Sequence, residues 1–292
     1  MGVFYQGKRY CTPSLDTQQQ ENCSSITAMP VETEPQQPEE HAPQETQRPP
    51  IPLAVRWLTY LLILPLIAFA TAFFGSISLV VGLWDKNGRE QHALARVWAR
   101  VLLTIAFSRV TLEHAERLRA QETAVYASNH LSYYDTPVLF AKLPFQFRIL
   151  AKAPLWKVPF IGWYLERSGQ VPIDQSSARA GVASLVRGAK TLEAGMPLVI
   201  FPEGGRAATG ELQPMAAGAA WMAIRAQVPI VPMTLVGTYE LLPIHVYILR
   251  PRPLKLIVGE PIPTTGMTTK DADALMERVR AVIHATYIAN HG

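Results

Sequence analysis

Ala124-Val125-Tyr126-Ala127-Ser128-Asn129-His130-Leu131-Ser132-Tyr133-Tyr134-Asp135 is the stretch on which the fold of this chain turns. Its apolar start, residues 124–128, has the length and composition of a short buried strand. His130 falls where that strand gives way to loop, and Asp135 follows five positions later. A carboxylate that swings back onto a histidine just past a strand end makes a general base with its orienting partner. Residues i and i+5 do not share a helix face, so this pairing needs the backbone to turn between them. A second reading stands beside the first. Ser132-x-x-Asp135 has the pattern of a capping box, in which Asp135 serves only to cap a helix through Tyr133 to Ala141.

A second stretch completes the first. Val199-Ile200-Phe201-Pro202-Glu203-Gly204-Gly205-Arg206 reads as a strand, residues 197–201, running straight into a glycine pair that ends in arginine. Glycines let the backbone approach a ligand closely and turn amide groups outward. Arg206 adds a planar fork suited to phosphate oxygens. A glycine pair alone is an ordinary turn; joined to the His-x4-Asp stretch it is far more specific.

Together, His130-x4-Asp135 and Phe201-Pro202-Glu203-Gly204-Gly205-Arg206 resemble the glycerolipid acyltransferase family, above all its 1-acyl-glycerol-3-phosphate acyltransferases. Residues 151–163, Val171-Pro172-Ile173-Asp174, Val228-Pro229-Ile230-Val231-Pro232 and Val258-Gly259-Glu260-Pro261-Ile262 are similar to further family segments, so the likeness runs from about residue 93 onward. Two positions depart from the family pattern. Gln175 stands where arginine usually follows the aspartate, with Arg179 as a candidate replacement. Gly205 stands where threonine is usual, which removes one hydroxyl donor.

Outward from these motifs the chain alternates. Strand-like runs cover 124–128, 147–151, 170–173, 198–201, 230–236 and 254–258; helix-like runs cover 132–141, 177–194, 214–226 and 270–289. This predicts an α/β fold, a largely parallel sheet flanked by helices, with functional groups on the loops at strand ends. Before it lies an N-terminal membrane-associated helical segment. Residues 57–84 contain no charged side chain, and as a helix they would reach about 42 Å against the ~30 Å of a bilayer core. Pro65 and Gly75-Ser76 leave two readings open, one tilted span or a re-entrant hairpin. Leu94, Val97, Trp98, Val101, Leu102 and Ile105 then mark one face of an amphipathic helix, lying in a membrane interface or forming a first core helix. The expected organisation is a disordered tail over 1–50, membrane-associated helices over 51–112, and an acyltransferase domain over 113–292.

The tail, rich in Gln, Glu and Pro, cannot bury enough apolar surface to offset its chain entropy. Gln6 breaks the myristoylation pattern that Met1-Gly2 begins, and a secretory signal peptide is not expected this far from an apolar core. Residues 1–50 carry three Lys/Arg against seven Asp/Glu; the rest carries 24 against 16, a basic body suited to anionic membrane or phosphate-bearing substrates. No nucleic-acid motif is visible. Cys11 and Cys23 both lie in the tail, read as exposed thiols in a reducing compartment, and no metal-ligand spacing is present.

The resemblance implies acyl transfer from a thioester, acyl-CoA or acyl carrier protein as co-substrate without further cofactor or metal, to the sn-2 hydroxyl of lysophosphatidic acid. His130 is then the base and Asp135 its partner, with no covalent acyl-enzyme; no Gly-x-Ser-x-Gly elbow is present. Arg206 is the first candidate for the acceptor phosphate and Lys152 the second, with a solvated lysine as the plain alternative. Glu203 is read as binding acceptor hydroxyls, bracing its loop or pairing with Arg206, and the Gly204 and Gly205 amides as candidate oxyanion donors. Leu155, Trp156, Val158, Pro159, Phe160, Ile161 and Trp163 line an acyl groove, dip into lipid, or form ordinary core. The expected location is a membrane, with the catalytic domain on the cytoplasmic side, and the inner membrane if the source is bacterial. The rival readings are a related transferase acting on another lysolipid or glycerol-3-phosphate, an inactive membrane lipid-binding protein, and a membrane-anchored scaffold.

Overall fold

The computed structural model describes residues 52–118, 123–158, 161–207 and 209–291. The expectations for the polar tail, its two cysteines, Pro159 and Phe160 lie outside these residues.

Residues 53–81 form one continuous helix, α1 (Leu53–Val81), long and apolar enough to cross a membrane. The expected bend at Pro65 is absorbed inside it. A proline ring crowds the carbonyl four residues back and offers no N–H in return, and the turn before it, Thr59–Ile63, is wound as a π-helix. Gly75-Ser76 passes without a break, the Ser76 hydroxyl donating back to the Ala72 carbonyl. The re-entrant alternative is therefore not what forms. The chain instead turns at residues 82–88 and returns as α2 (Arg89–Ile105). Gln91 reaches Ser78 and Trp98 reaches Thr71, so the two helices run antiparallel.

The helix α2 is a core helix along one side. Gln91, His92, Ala99, Leu102 and Leu103 are buried. Val97, which the apolar spacing placed on the inner face, is 46% exposed. The buried stripe is rotated from the one read by spacing because it includes two polar residues and an alanine, which a count of large apolar side chains passes over.

Seven strands follow: β1 (Val110–Glu113), β2 (Val125–Ser128), β3 (Arg148–Lys152), β4 (Val171–Ile173), β5 (Leu198–Ile200), β6 (Ile230–Val236) and β7 (Leu254–Val258). They form one sheet in the order β1-β7-β6-β2-β5-β3-β4. All neighbouring pairs are parallel except β6 and β7, so the last two strands at one edge run against the other five. The strand β1 has no counterpart in the sequence reading, since its four residues alternate valine and leucine with threonine and glutamate and none is fully buried. The expected boundary at residue 112 falls inside it.

The sheet lies between two helical layers. Tyr126, Val199, Val231, Met233 and Leu235 face the layer that contains α2 and α3 (Asp135–Lys142). Their neighbours Val125, Ala127, Leu198, Ile200 and Ile230 face α5 (Ala178–Glu193), α6 (Gly218–Ala226) and α8 (Ala272–Asn290). This is the two-sided burial expected of parallel strands, each large apolar side chain contributing about 1.5–3 kcal/mol. Two short helices, α4 (Ile161–Arg167) and α7 (Thr238–Leu241), complete the set.

Candidate active site

The site sits where β2 and β5, the adjacent central strands, end side by side. Asn129 fixes the end of β2. Its amide donates to the Leu235 carbonyl at 2.9 Å and its carbonyl accepts the Leu235 N–H at 2.7 Å, so a fully buried side chain locks β2 against β6. Beyond this clamp the backbone turns, and Asp135 becomes the first residue of α3 rather than a residue within a helix starting at Ser132. The Ser132 hydroxyl donates to the Leu242 carbonyl and accepts the Tyr134 N–H, which holds the turn.

The turn brings His130 and Asp135 together. Asp135 Oδ2 lies 2.9 Å from His130 Nδ1 and also accepts the N–H groups of Leu131 and Ser132 at 2.7 and 2.8 Å. Asp135 Oδ2 thus contacts the imidazole and accepts two N–H groups of the turn that precedes α3, so the reading in which it serves only to cap a helix is not what forms. The histidine ring stacks on Phe201 from the end of β5, centroids 3.9 Å apart. Nδ1 is committed to the carboxylate, and the other ring nitrogen, Nε2, is left for proton chemistry.

Glu203 takes a role that the sequence left open. One oxygen accepts the His130 N–H at 2.8 Å and the other accepts the Gln213 N–H at 3.0 Å. It braces the histidine backbone; among the described residues it makes no ion pair with Arg206. Burial pushes its carboxyl up to about 7, against the two amide hydrogen bonds and with help from the nearby Asp135 charge. Arg206 lies across the Tyr133 ring, Cζ 4.5 Å from its centroid, and its Nε donates to the Ser132 carbonyl. Burial lowers its pKa, opposed by the Asp135 charge. The remaining guanidinium nitrogens have no protein partner among the described residues.

Lys152 ends β3 beside this loop. A Cβ built on Gly205 would stand 3.9 Å from its Nζ, so the lysine shares the site with Arg206. Gly204 adopts a left-handed φ of 70°, which the tight turn after Phe201 requires; the space above Gly204 is open, while the Lys152 ammonium lies over Gly205. Arg179 is exposed in the first turn of α5 and makes no ion pair among the described residues. Leu155, Val158, Ile161 and Trp163 are 39–54% exposed, which excludes the ordinary-core reading for them. No cluster of metal-ligating side chains occurs among the described residues. The residues that sequence reasoning missed are Asn129, Phe201 and Gln213. Asn129 had a signal, a lone amide at the end of an apolar strand; Gln213 acts through its backbone and had none.

Residues 109–236 match the protein family described as Acyltransferase. The chain is 31% identical over 227 residues to a 1-acyl-sn-glycerol-3-phosphate acyltransferase of Chlamydomonas reinhardtii, an alignment covering 74% of this chain and 67% of that protein. It is 32% identical over 184 residues to the chloroplastic 1-acyl-sn-glycerol-3-phosphate acyltransferase LPAT1 of Arabidopsis thaliana, covering 61% of this chain but only 51% of that protein. This chain thus spans about half the length of the Arabidopsis relative. In three dimensions it resembles the crystal structure of the 1-acyl-sn-glycerophosphate acyltransferase PlsC from Thermotoga maritima, with a TM-score of 0.67 at 22% identity over 82% of this chain and 97% of that one. That likeness is one of fold.

Proposed function

The chain belongs to the acyltransferase family, and from that premise we propose that it transfers a fatty acyl group from a thioester, acyl-CoA or acyl carrier protein, to the sn-2 hydroxyl of lysophosphatidic acid. The observation that carries this reading is the 2.9 Å contact between His130 Nδ1 and Asp135 Oδ2 at the end of the central strand. The acceptor hydroxyl gives its proton to His130 Nε2 as its oxygen attacks the thioester carbonyl carbon. The new C–O bond forms, the C–S bond breaks, and the leaving thiolate takes the proton back from the imidazolium. Asp135 holds the ring tautomer and stabilises the imidazolium without itself being protonated.

Arg206 and Lys152 receive the acceptor's phosphate, a role supported by their shared position beside the Gly204-Gly205 turn. Arg206 is suited to it because only its Nε is engaged. The same turn offers amides to the developing oxyanion. Glu203 keeps the His130 backbone in place and does not touch substrate in this scheme. The sheet and its flanking helices, from β1 onward, carry the chemistry, and α1 holds them at the membrane.

The test is thioester release by the purified full chain, supplied in turn with lysophosphatidate, its dephosphorylated analogue, other lysophospholipids and glycerol-3-phosphate. The expected result is a turnover that depends on lysophosphatidate. Preference for another acceptor would replace the substrate and keep the chemistry. Absence of turnover with every acceptor would favour a lipid-binding protein.

A further inference from the structure

The opposite end of β3 holds a second basic site. Arg148 opens this strand and Lys152 closes it, so the two lie about 13 Å apart along the sheet. Around Arg148, where the chain turns from α1 into α2, there is a cavity of about 500 Å³. Its charged lining residues among those described are Lys86, Arg89, Arg148 and Arg167, with no carboxylate among them. None of the four makes an ion pair among the described residues. Asp85, whose charge acts on Arg148, accepts the N–H groups of Arg89 and Gln91 and is engaged in capping α2.

Arg148 is the informative residue. It is 7% exposed, with Nη2 donating to the Asn87 carbonyl at 2.6 Å and Nη1 buried without a hydrogen-bond partner among the described residues. Its guanidinium is held between Gly88 and Gly169, both with positive φ; a Cβ on either would come within 3.1 Å of it. A buried cation with an unsatisfied nitrogen is costly unless an anion completes it.

Next to the cavity lies an apolar groove of about 380 Å³ between the end of α1 and α4, formed by Leu79, Val80, Leu83 and Trp163. Glu166, a carboxylate on its wall, accepts the Trp156 indole N–H. Arg167 lines both spaces. A free phosphate would use the cavity and leave the groove empty. A phosphate head joined to an acyl chain fits both, with Arg167 at the junction.

We propose that this cavity and groove form a non-catalytic binding site for an anionic phospholipid, its phosphate among Lys86, Arg89, Arg148 and Arg167 and one acyl chain against Leu79, Leu83 and Trp163. The site is separate from the acceptor site at Arg206 and does not depend on the reaction assigned to it.

The test uses native mass spectrometry of the full chain, released from detergent micelles doped equally with phosphatidylglycerol and phosphatidylcholine. The parent protein is expected to retain one phosphatidylglycerol in preference to phosphatidylcholine. Lys86→Glu/Arg167→Glu changes two exposed side chains and should fold; it is expected to lose roughly tenfold or more of this adduct. Arg148→Met is expected to lose it too. Arg187→Glu, an exposed site on the opposite helical layer, and Arg206→Ala should both keep it. Four results overturn the proposal. They are equal loss in Arg187→Glu, which means general charge adsorption; loss in Arg206→Ala, which places the lipid in the acceptor site; full retention in Lys86→Glu/Arg167→Glu; and displacement of the lipid by equimolar inorganic phosphate.

Discussion

The two ends of β3 carry two kinds of cationic site, and they differ in what satisfies the charges around them. At the C-terminal end, beside Lys152, the acidic groups are held by the backbone. Asp135 accepts two N–H groups besides the imidazole, and Glu203 accepts the amides of His130 and Gln213. At the N-terminal end, among the described residues, Arg148 is buried with one nitrogen lacking a hydrogen-bond partner and no carboxylate ion-paired to it. A carboxylate satisfied by local amides fixes geometry, which a proton transfer needs. A cation that the fold leaves incomplete is a place for something from outside. Arg206 lies between these cases, anchored through Nε and by the Tyr133 ring, with the rest of its fork available.

This contrast can be broken most sharply at His130. Replacing it with alanine should lower turnover by ~10²–10⁴-fold while the protein stays folded, because general-base removal costs that much. Thioester-release kinetics alongside a melting curve check this. Near-native turnover would remove the base from the account, whereas Arg148→Met should leave the chemical step at the other end of the strand untouched.

The next effect is at Arg206. Arg206→Ala should weaken use of a phosphorylated acceptor by roughly ten- to more than a hundredfold, the value of about 1.5–3 kcal/mol for a charge-assisted contact. Arg206→Lys should recover part of it, since lysine keeps the charge but not the planar fork. Comparing lysophosphatidate with its dephosphorylated analogue isolates the phosphate contribution. An equal fall on both, with a lowered melting temperature, would make Arg206 a support for the Ser132 carbonyl instead.

Glu203 sharpens the contrast through pH. Burial pushes its carboxyl up to about 7, so the folded protein keeps this proton to higher pH than the unfolded chain does. The sign follows: its contribution to stability is lost as pH rises from the ordinary carboxylate range through about 7. Glu203→Gln carries no such proton, and its melting temperature should fall less than the parent's between about pH 5 and pH 8. Parallel curves would show that Glu203 is not held up.

The smallest effects belong to the glycine pair. Gly204 has a φ of 70°, so Gly204→Ala should cost about 1 kcal/mol. Gly205 has ordinary φ and only the far end of the flexible Lys152 side chain within 4 Å of a built Cβ, so Gly205→Thr should stay within about 0.5 kcal/mol of the parent in denaturant melts. Equal costs at both positions would contradict the turn described.

Much of this arrangement was legible in the residues. The strand before His130 and the one before Glu203 are continuous apolar runs, and parallel strands buried on both faces leave that mark. The pairing of His130 with Asp135 was legible because both sit within one turn of chain. The edge was not. The strand β1 is short and half-exposed, and the reversal at β6–β7 depends on which loop crosses which, a tertiary matter that local pattern does not record. Ile161–Arg167 is a single short helix beside lipid-sized apolar residues, too brief to show a period. The clamp by Asn129 and the brace by Glu203 link residues 106 and 73 positions away, beyond the reach of spacing rules. The basic cavity was hidden for the same reason, since Lys86, Arg148 and Arg167 come from three separate elements.

The most direct test of the central claim is a double-mutant cycle on His130 and Asp135. If the two act as one unit at the end of β2, His130→Ala and Asp135→Asn will each slow thioester release with lysophosphatidate, and the double variant will be no slower than His130→Ala alone. If the losses instead multiply, so that the double variant is slower by the product of the two single effects, the residues act independently and the account of this site is wrong.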